Sequence, residues 1–389
     1  MSELHEKILI VDDNRMNIAA VRASLKGLDS NHKLLEAETA TEGIRLAKNE
    51  LPDLILLDIR LPDKDGFEVA RVLKSNKATA HIPIIYISGL DDVDSKLRGF
   101  TSGGVDYIIK PFYRQEVLAR VKTQLKIHRL QQSLETRNRE INESIGYAKR
   151  IQEAFLPSQE IMKKLFPSHF VFYKPKDVLS GDLYWVREYH GDVMVACIDC
   201  TGHGIPGALI SLVGINLLNR AAGVEADKSP AEILHEVDKR LIDSLHQNGE
   251  NGNSQDGMDI ALCRIDKSRR KVTFSGAYRP LIQVSNGNIK EWKGDKYPVG
   301  GTQQKKKDFS NQEITLEKGD ALYMFTDGIT DQFGGPSGKK LTAKRLRKAF
   351  TDMGTLSPDK QKKGIKKMFD EWQNDLEQVD DVLVMGLFF

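Results

Sequence analysis

Four short apolar runs, Ile8–Val11, Leu54–Leu57, Ile84–Ile87 and Tyr107–Ile109, alternate with segments whose apolar residues recur at helical spacing, such as Ile18, Val21, Leu25 and Val69, Val72, Leu73. Strand-like runs separated by helical ones argue for βα units wound around a parallel sheet over residues 1–125. The pattern then changes. Residues 126–156 hold no Gly or Pro except Gly146, many charges, and apolar residues at Ile127, Leu130, Leu134, Ile141, Ile145, Ala148, Ile151 and Phe155. Steps of three, four and seven fit a long amphipathic helix or a two-stranded coiled coil, with Arg137 and Asn138 interrupting the seam and Pro157 ending it. From residue 157 onward the runs Val193–Ile198, Ile260–Ile265, Lys271–Ser275, Ala321–Thr326 and Val382–Phe388 surround two helical stretches, Gly207–Ala221 and Pro230–Leu245. Grouped strands with grouped helices predict an α+β domain over 157–389.

A chain of 389 residues has room for roughly two or three domains, each with a core of its own. With 57 basic and 55 acidic residues it lacks the basic excess of a nucleic-acid binder, and no helix-turn-helix is evident. The Lys-rich stretches at Lys339–Lys348 and Lys360–Lys367 read as solvated helix faces. Three cysteines, Cys197, Cys200 and Cys263, cannot form a disulfide framework and suggest a reducing compartment. The start, MSELHEKILIVDD, lacks the apolar core of a signal peptide, and the longest apolar stretch, Ala208–Leu218, is about half a membrane span. These features predict a cytoplasmic protein with neither nucleic acid nor membrane as partner. The one low-complexity piece is the polar loop Asn248–Gly257.

Acidic residues fall where the first strands end: Asp12 and Asp13 after ILIV and Asp58 after LILL, while IIYI ends at Ser88. In an open parallel sheet, ligands sit outside the carboxyl ends of the strands, so these groups can converge on one crevice. Three carboxylates offer hard oxygen ligands for Mg²⁺, and Lys110 adds a cation that suits a phosphoryl-accepting aspartate. The segments VDDNRMN, DLILLDIRLPDKDGFE, PIIYISG and GGVDYIIKPF together resemble the receiver domain of two-component response regulators. That resemblance implies a doubly wound, five-stranded, flavodoxin-like sheet. It makes Asp58 the phosphoacceptor, Asp12 and Asp13 its partners in holding Mg²⁺, Ser88 the switch hydroxyl, Lys110 the phosphoryl contact, and Tyr107 the rotating aromatic. Lys110–Pro111 would be cis. It also implies a sensor histidine kinase or phosphotransfer protein as partner. The plainer alternative is a flavodoxin-like fold whose carboxylates merely cap helices.

In the second half, Asp182 lies in SGDLYW, Asp199 ends VMVACID, Asp327 follows YMFT, and Asp380–Asp381 precede VLVMGLFF. Widely separated acidic residues at strand edges are what a binuclear site for hard divalent ions needs, and such a site hydrolyses phosphate esters without a covalent nucleophile. SGDLYW, DCTGHGIPGAL, SGAYRPLI, YPVGG, FTDGITD and DDVLVM, in this order, resemble the bacterial metal-dependent Ser/Thr phosphatases of the PP2C superfamily, sporulation-phosphatase branch. The lead-in YAKRIQEAFLPS fits that branch too. The resemblance implies a β-sandwich flanked by helices and two Mn²⁺ or Mg²⁺ ions. Asp199 would bridge them beside the Cys200 carbonyl, with Asp182, Asp327 and Asp380 as further ligands and Asp381 the second choice to Asp380. It also implies a phosphorylated anti-sigma-factor antagonist as substrate.

Two positions depart from the branch: Asp259 in GMDIALC and Arg279 in SGAYRPLI. Arg279 is expected to face the substrate phosphate. His203 is either a general acid for the leaving alkoxide or a turn residue bonded to backbone. GHGIPG at Gly202–Gly207 mimics a dinucleotide fingerprint, but no second strand ending in an acidic residue follows, so the glycines read as allowing close backbone approach beside Asp199. Cys197 and Cys200 are too few for a zinc site and read as buried or carbonyl-donating. The combined expectation is a response regulator, homodimeric through residues 126–156, whose Asp58 phosphorylation controls a protein phosphatase. The alternative is a scaffold that binds phosphoproteins without turnover.

Overall fold

The computed structural model describes residues 6–28, 32–89, 98–223, 227–247, 255–301 and 307–389. The start of the chain before Glu6 and residues 248–254 of the polar loop lie outside the described residues. Two compact units, 1–141 and 142–389, each have their own core, and the 42-residue helix Arg114–Phe155 includes the boundary.

In the first unit, β1 (Glu6–Val11), β2 (His32–Ala37), β3 (Leu54–Asp58), β4 (Ile84–Ser88) and β5 (Asp106–Ile109) form, among the described residues, a five-stranded parallel sheet in the order β2-β1-β3-β4-β5. Alternate residues of each run face opposite sides, and both sides are covered. Ile8, Ile10, Leu54 and Leu56 pack with Ile18, Val21, Leu25, Val117 and Val121, whereas Leu9, Val11, Ile55 and Leu57 pack with Ala40, Ala47, Phe67 and Leu73. Helices Arg15–Leu25, Ala40–Glu50 and Gly66–Lys74 start on Asn14, Thr39 and Asp65, whose side chains accept the first free N–H groups. Because β1 is flanked by β2 on one side and β3 on the other, the winding reverses beside β1, and the crevice opens at the carboxyl ends of β1 and β3.

The long helix starts at Arg114, twelve residues before the change in sequence pattern at 126. Its first turns bury Val117, Val121 and Leu125 completely, and nothing between them and Pro157 breaks the helix. Beyond Leu125 the expected seam is open, with Leu130 and Leu134 at 62% and 61% exposure.

The second unit is a β-sandwich with helices on both outer faces. One sheet runs β14 (Gln312–Thr315), β10 (Lys271–Ala277), β9 (Gly257–Ile265), β8 (Asp192–Cys200), β7 (Leu183–Tyr189), with the short β13 (Val299–Gly300) also on β9. The other runs β12 (Asn288–Trp292), β11 (Leu281–Ser285), β15 (Ala321–Phe325), β18 (Val382–Phe388), β6 (His169–Lys174), and β16 (Phe333–Gly334) pairs with β17 (Lys339–Lys340) in a small hairpin. Strand alternation builds the layers. Val193, Val195 and Cys197 point into the sandwich toward Leu322, Met324, Leu383 and Met385, while Met194, Ala196 and Ile198 point out to helices Gly204–Ala221 and Pro230–Ser244. On the opposite outer face, helices Ala343–Asp352 and Pro358–Gln373 bury Leu346, Phe350, Ile365 and Phe369, leaving most of their lysines outward. The first helix begins at Gly204, ahead of the expected Gly207, because His203 already has the extended backbone of an N-cap.

Candidate functional site

In the first unit, β1 delivers Asp12 and Asp13, β3 delivers Asp58, and β5 delivers Lys110 to one crevice. Lys110 Nζ lies 2.7 Å from Asp12 Oδ2 and 2.6 Å from Asp58 Oδ2. Oxygens of Asp12, Asp13 and Asp58 all lie within 4.8 Å of one another. Asn17 Nδ2 and the Asn14 N–H hold the other oxygen of Asp12. Asn17 was not among the expected site residues; its signal is the final Asn of VDDNRMN, one helical turn after Asp13. Burial pushes the Asp58 carboxyl up, opposed by Lys110 and reinforced by Asp12. Burial works against the Lys110 ammonium, and its bonds to Asp12 and Asp58 outweigh that, so its pKa is raised. One ammonium thus serves a cluster of three acids, which suits an added divalent cation. Ser88 ends β4 and is buried, Tyr107 is buried in β5, and Lys110–Pro111 is cis. Gly66 is required here: a Cβ would stand 2.3 Å from the Asp58 carbonyl oxygen.

In the second unit the acidic residues gather at one end of the sandwich. Asp182 is fully buried just before β7 and accepts the Thr326 hydroxyl at 2.6 Å. Asp199, next to last in β8, pairs across to Asp259 in β9 and accepts the Asp327 N–H at 3.4 Å. Burial raises Asp182 well above the ordinary carboxylate range, with repulsion from Asp199 added; burial also raises Asp199, to about 8, with Arg279 opposing and Asp327 and Asp259 reinforcing. Asp380, half-buried, is raised by burial. The two members of the DD pair differ in what their oxygens do. Asp381 is buried with both carboxylate oxygens taken by the N–H groups of Lys176 and Gly181, whereas among the described residues the Asp380 carboxylate accepts only its neighbour's N–H. Asp381 thus holds the Asp182 loop, and the Asp380 carboxylate is the less occupied of the two.

Two expected residues, Arg279 and His203, are placed in ways the sequence did not indicate. Arg279 does not face open space: its Nη2 bonds Asp199, Asp259 and Asp327, because a buried guanidinium seeks countercharge. His203 is bonded to side chains and not to backbone, with Nδ1 2.7 Å from Asp177 and Nε2 2.9 Å from Lys176 Nζ. Gly202, at φ +85°, brings its carbonyl against Gly181 and Gly207, where Cβ atoms would meet it at 2.4 and 2.1 Å. Cys200 is buried at the end of β8. Two polar groups went unnoticed. Thr326 is buried between Asp182 and the Leu383 backbone, and Gln152 is buried with its amide on Ser180 and Ser211.

Residues 189–387 match the family model "Stage II sporulation protein E (SpoIIE)", which is over half of the chain. The chain belongs to the SpoIIE family. Residues 8–122 of this SpoIIE-family chain match the response regulator receiver domain. The SiaA-PP2C domain of Pseudomonas aeruginosa is similar to it, with a TM-score of 0.59 at 30% identity, covering 65% of this chain and 98% of that one. The Synechocystis DNA-binding dual master transcriptional regulator RpaA is 37% identical over 122 residues, 31% of this chain and 49% of RpaA. A Vibrio cholerae probable cyclic di-GMP phosphodiesterase is 27% identical over 313 residues, 75% of this chain and 64% of that protein. The chain thus spans about half or less of the length of several curated relatives it matches. A receiver domain followed by a PP2C-type domain is established, and among the described residues no helix is long and apolar enough to cross a membrane.

The SpoIIE-family carboxylates fit divalent cations by their chemistry. Asp182, Asp199, Asp259, Asp327 and Asp380 are hard oxygen donors, and among the described residues Arg279 is the one guanidinium bonded to them. Left without metal, the cluster is under like-charge strain. A carboxyl whose folded pKa lies above its unfolded value binds its proton more tightly when folded, so stability falls as pH rises from the ordinary carboxylate value toward the folded one. In EDTA, the second unit's melting temperature is expected to fall between pH 5 and pH 8, the span below the raised Asp199 value of about 8, and Mn²⁺ is expected to flatten that fall. Melting curves across that range, with and without Mn²⁺, check it.

Proposed function

We propose that this chain is a response regulator in which phosphorylation of Asp58 governs a metal-dependent protein serine/threonine phosphatase. The reading divides the chain into a receiver at 1–125, a helical linker at 126–156 and a phosphatase at 157–389. One observation carries the output: four separate strand ends bring Asp182, Asp199, Asp327 and Asp380 together at one edge of the sandwich, partly buried and short of positive charge.

Asp182, Asp199, the Cys200 carbonyl, Asp327 and Asp380 would hold two Mn²⁺ or Mg²⁺ ions, which supply charge neutralisation at the phosphoryl oxygens and a more acidic water. The chain's own part is to fix those donors. Thr326 orients Asp182, Asp381 ties down the Ser180–Asp182 loop, and the glycines at 181, 202 and 207 let the loops close on one another. In the receiver, Lys110 stands where it can neutralise charge as the Asp58 carboxylate attacks a phosphodonor's phosphorus and the donor group leaves. Mg²⁺ would be held by Asp12, Asp13 and Asp58. A sensor histidine kinase or phosphotransfer protein would supply the phosphoryl group. The substrate would be a phosphoserine or phosphothreonine on an anti-sigma-factor antagonist. The open seam at Ile127, Leu130, Leu134 and Ile141 supports a homodimer through the long helix.

The test is phosphate release from a phosphoserine protein with Mn²⁺, comparing a bare receiver with one loaded with beryllofluoride. Turnover that requires Mn²⁺ and changes several-fold on loading is the expected result. Turnover indifferent to loading removes the control by Asp58, and no turnover in either state removes the enzyme in favour of a phosphoprotein-binding scaffold.

A further inference from the structure

Arg279 follows β10 after Tyr278, whose φ is +57°. It delivers a single nitrogen, Nη2, to three carboxylates: Asp327 at 2.7 Å, Asp259 at 2.8 Å and Asp199 at 3.1 Å. Its Nε is buried with no hydrogen-bond partner among the described residues. Guanidinium–carboxylate pairs are frequently held by two parallel bonds to one carboxylate; this one spreads a single nitrogen over three. Two of its three acceptors, Asp199 and Asp327, are groups the proposed function needs as cation ligands. The third, Asp259, stands directly opposite Asp199 across the β8–β9 pair, where like charges destabilise a sheet unless a cation lies near both.

We propose that Arg279 is an exchangeable internal counter-cation: it neutralises Asp199 and Asp327 while the cluster is free of metal, and yields both to arriving ions while Asp259 keeps it tethered. The inference rests on the reading of this cluster as a metal site. It makes metal binding a competition. The fraction of molecules with Arg279 withdrawn scales the apparent affinity, so the arginine lowers the affinity the carboxylates would otherwise show. Asp259, which lies outside the proposed ligand set, favours the metal-bound state by holding the displaced guanidinium.

Calorimetric titration of Mn²⁺ into the full chain reads the affinity, with Asp199→Asn as the blank whose residual heat belongs to the receiver. Melting in EDTA reads the metal-free fold. Arg279→Met keeps the side chain's length and removes its charge. It is expected to bind Mn²⁺ about tenfold more tightly, within the usual range of coupling between two sites, and to melt lower than wild type in EDTA. Opposite signs in the two measurements are the signature; a merely structural arginine would lower both. Asp259→Asn is expected to weaken Mn²⁺ binding several-fold in the wild-type background and to change it by much less in the Arg279→Met background. Arg279→Met that binds Mn²⁺ no more tightly than wild type overturns the exchange. Should that variant not fold, Arg279→Gln takes its place: tighter Mn²⁺ binding than wild type supports the exchange, and unchanged or weaker binding overturns it. Wild type that binds and turns over normally while Arg279→Met binds no tighter removes this inference alone. Wild type with no Mn²⁺ heat beyond the blank removes the metal reading and the exchange together.

Discussion

Replacing Asp199 by asparagine is expected to lower phosphate release by about a hundred- to a thousandfold, the scale on which losing one charge-stabilising group at a reacting centre is felt, while phosphorylation of Asp58 by a small phosphodonor continues unchanged. The substitution keeps the size of the side chain, its place at the end of β8 and an oxygen for the Asp327 N–H. What it removes is the charge at the middle of the cluster, facing Asp182, Asp259 and Asp327. Because that charge is unfavourable without metal, the variant's second unit is expected to melt at or above the wild-type temperature in EDTA. Loss of activity with a fold at least as stable separates chemistry from folding. Phosphate release within tenfold of wild type would refute the assignment of Asp199.

The second large effect is on the fold. Gly328 opens the short helix Asp327–Asp331, and a Cβ built on it would stand 1.8 Å from the Asp381 carbonyl oxygen and 2.9 Å from its carbon. Neither side has room to move. Asp381 leads into β18, which is paired with β15 and β6, and its carboxylate is held by two backbone N–H groups. Overpacking a close-packed site costs about 1–3 kcal/mol and occasionally more. At about 2–4 °C per kcal/mol for a unit of this size, Gly328→Ala is expected to lower the melting temperature of the second unit by about 5–10 °C and to abolish phosphate release. Gly146→Ala, a helix position where a Cβ meets nothing within 4 Å, serves as the control and is expected to stabilise by up to about 1 kcal/mol. Equal melting temperatures for the two variants would show that the Gly328 contact relaxes.

These residues also mark how far the sequence can be read. The receiver crevice was legible because Asp12, Asp13, Asp58, Ser88 and Lys110 each end or directly follow an uninterrupted apolar run, and a parallel sheet places all such ends on one side. Asp182, Asp199, Asp327 and Asp380 were visible as acidic residues at strand edges, two ahead of β7 and β18 and two at or just past the ends of β8 and β15, and the alternation of Val193–Ile198 announced a strand packed on both faces. What stayed hidden depends on partners distant in the chain. That Asp259 opposes Asp199 follows from a strand register set 60 residues apart. The distinction between Asp380 and Asp381 rests on N–H groups about 200 residues away. Arg279 was expected to face a substrate phosphate because its residue type suits phosphate; that its Nη2 also lies against Asp199, Asp259 and Asp327 depends on strands remote in the chain and could not be read from the residue type. The helix from Arg114 was hidden because its buried first turns and its open later turns carry different apolar patterns.

Gln152 has a mechanical meaning. Its side chain donates to the Ser180 carbonyl and the Ser211 hydroxyl and accepts the Ser180 N–H, and the Ser180 hydroxyl in turn holds the Asp182 N–H. A helix advances 1.5 Å and turns about 100° per residue, so sliding this one by a single step carries the amide to another face and breaks all three of its bonds at once. The helix end is therefore indexed against the Asp182 loop like a pawl in a toothed wheel.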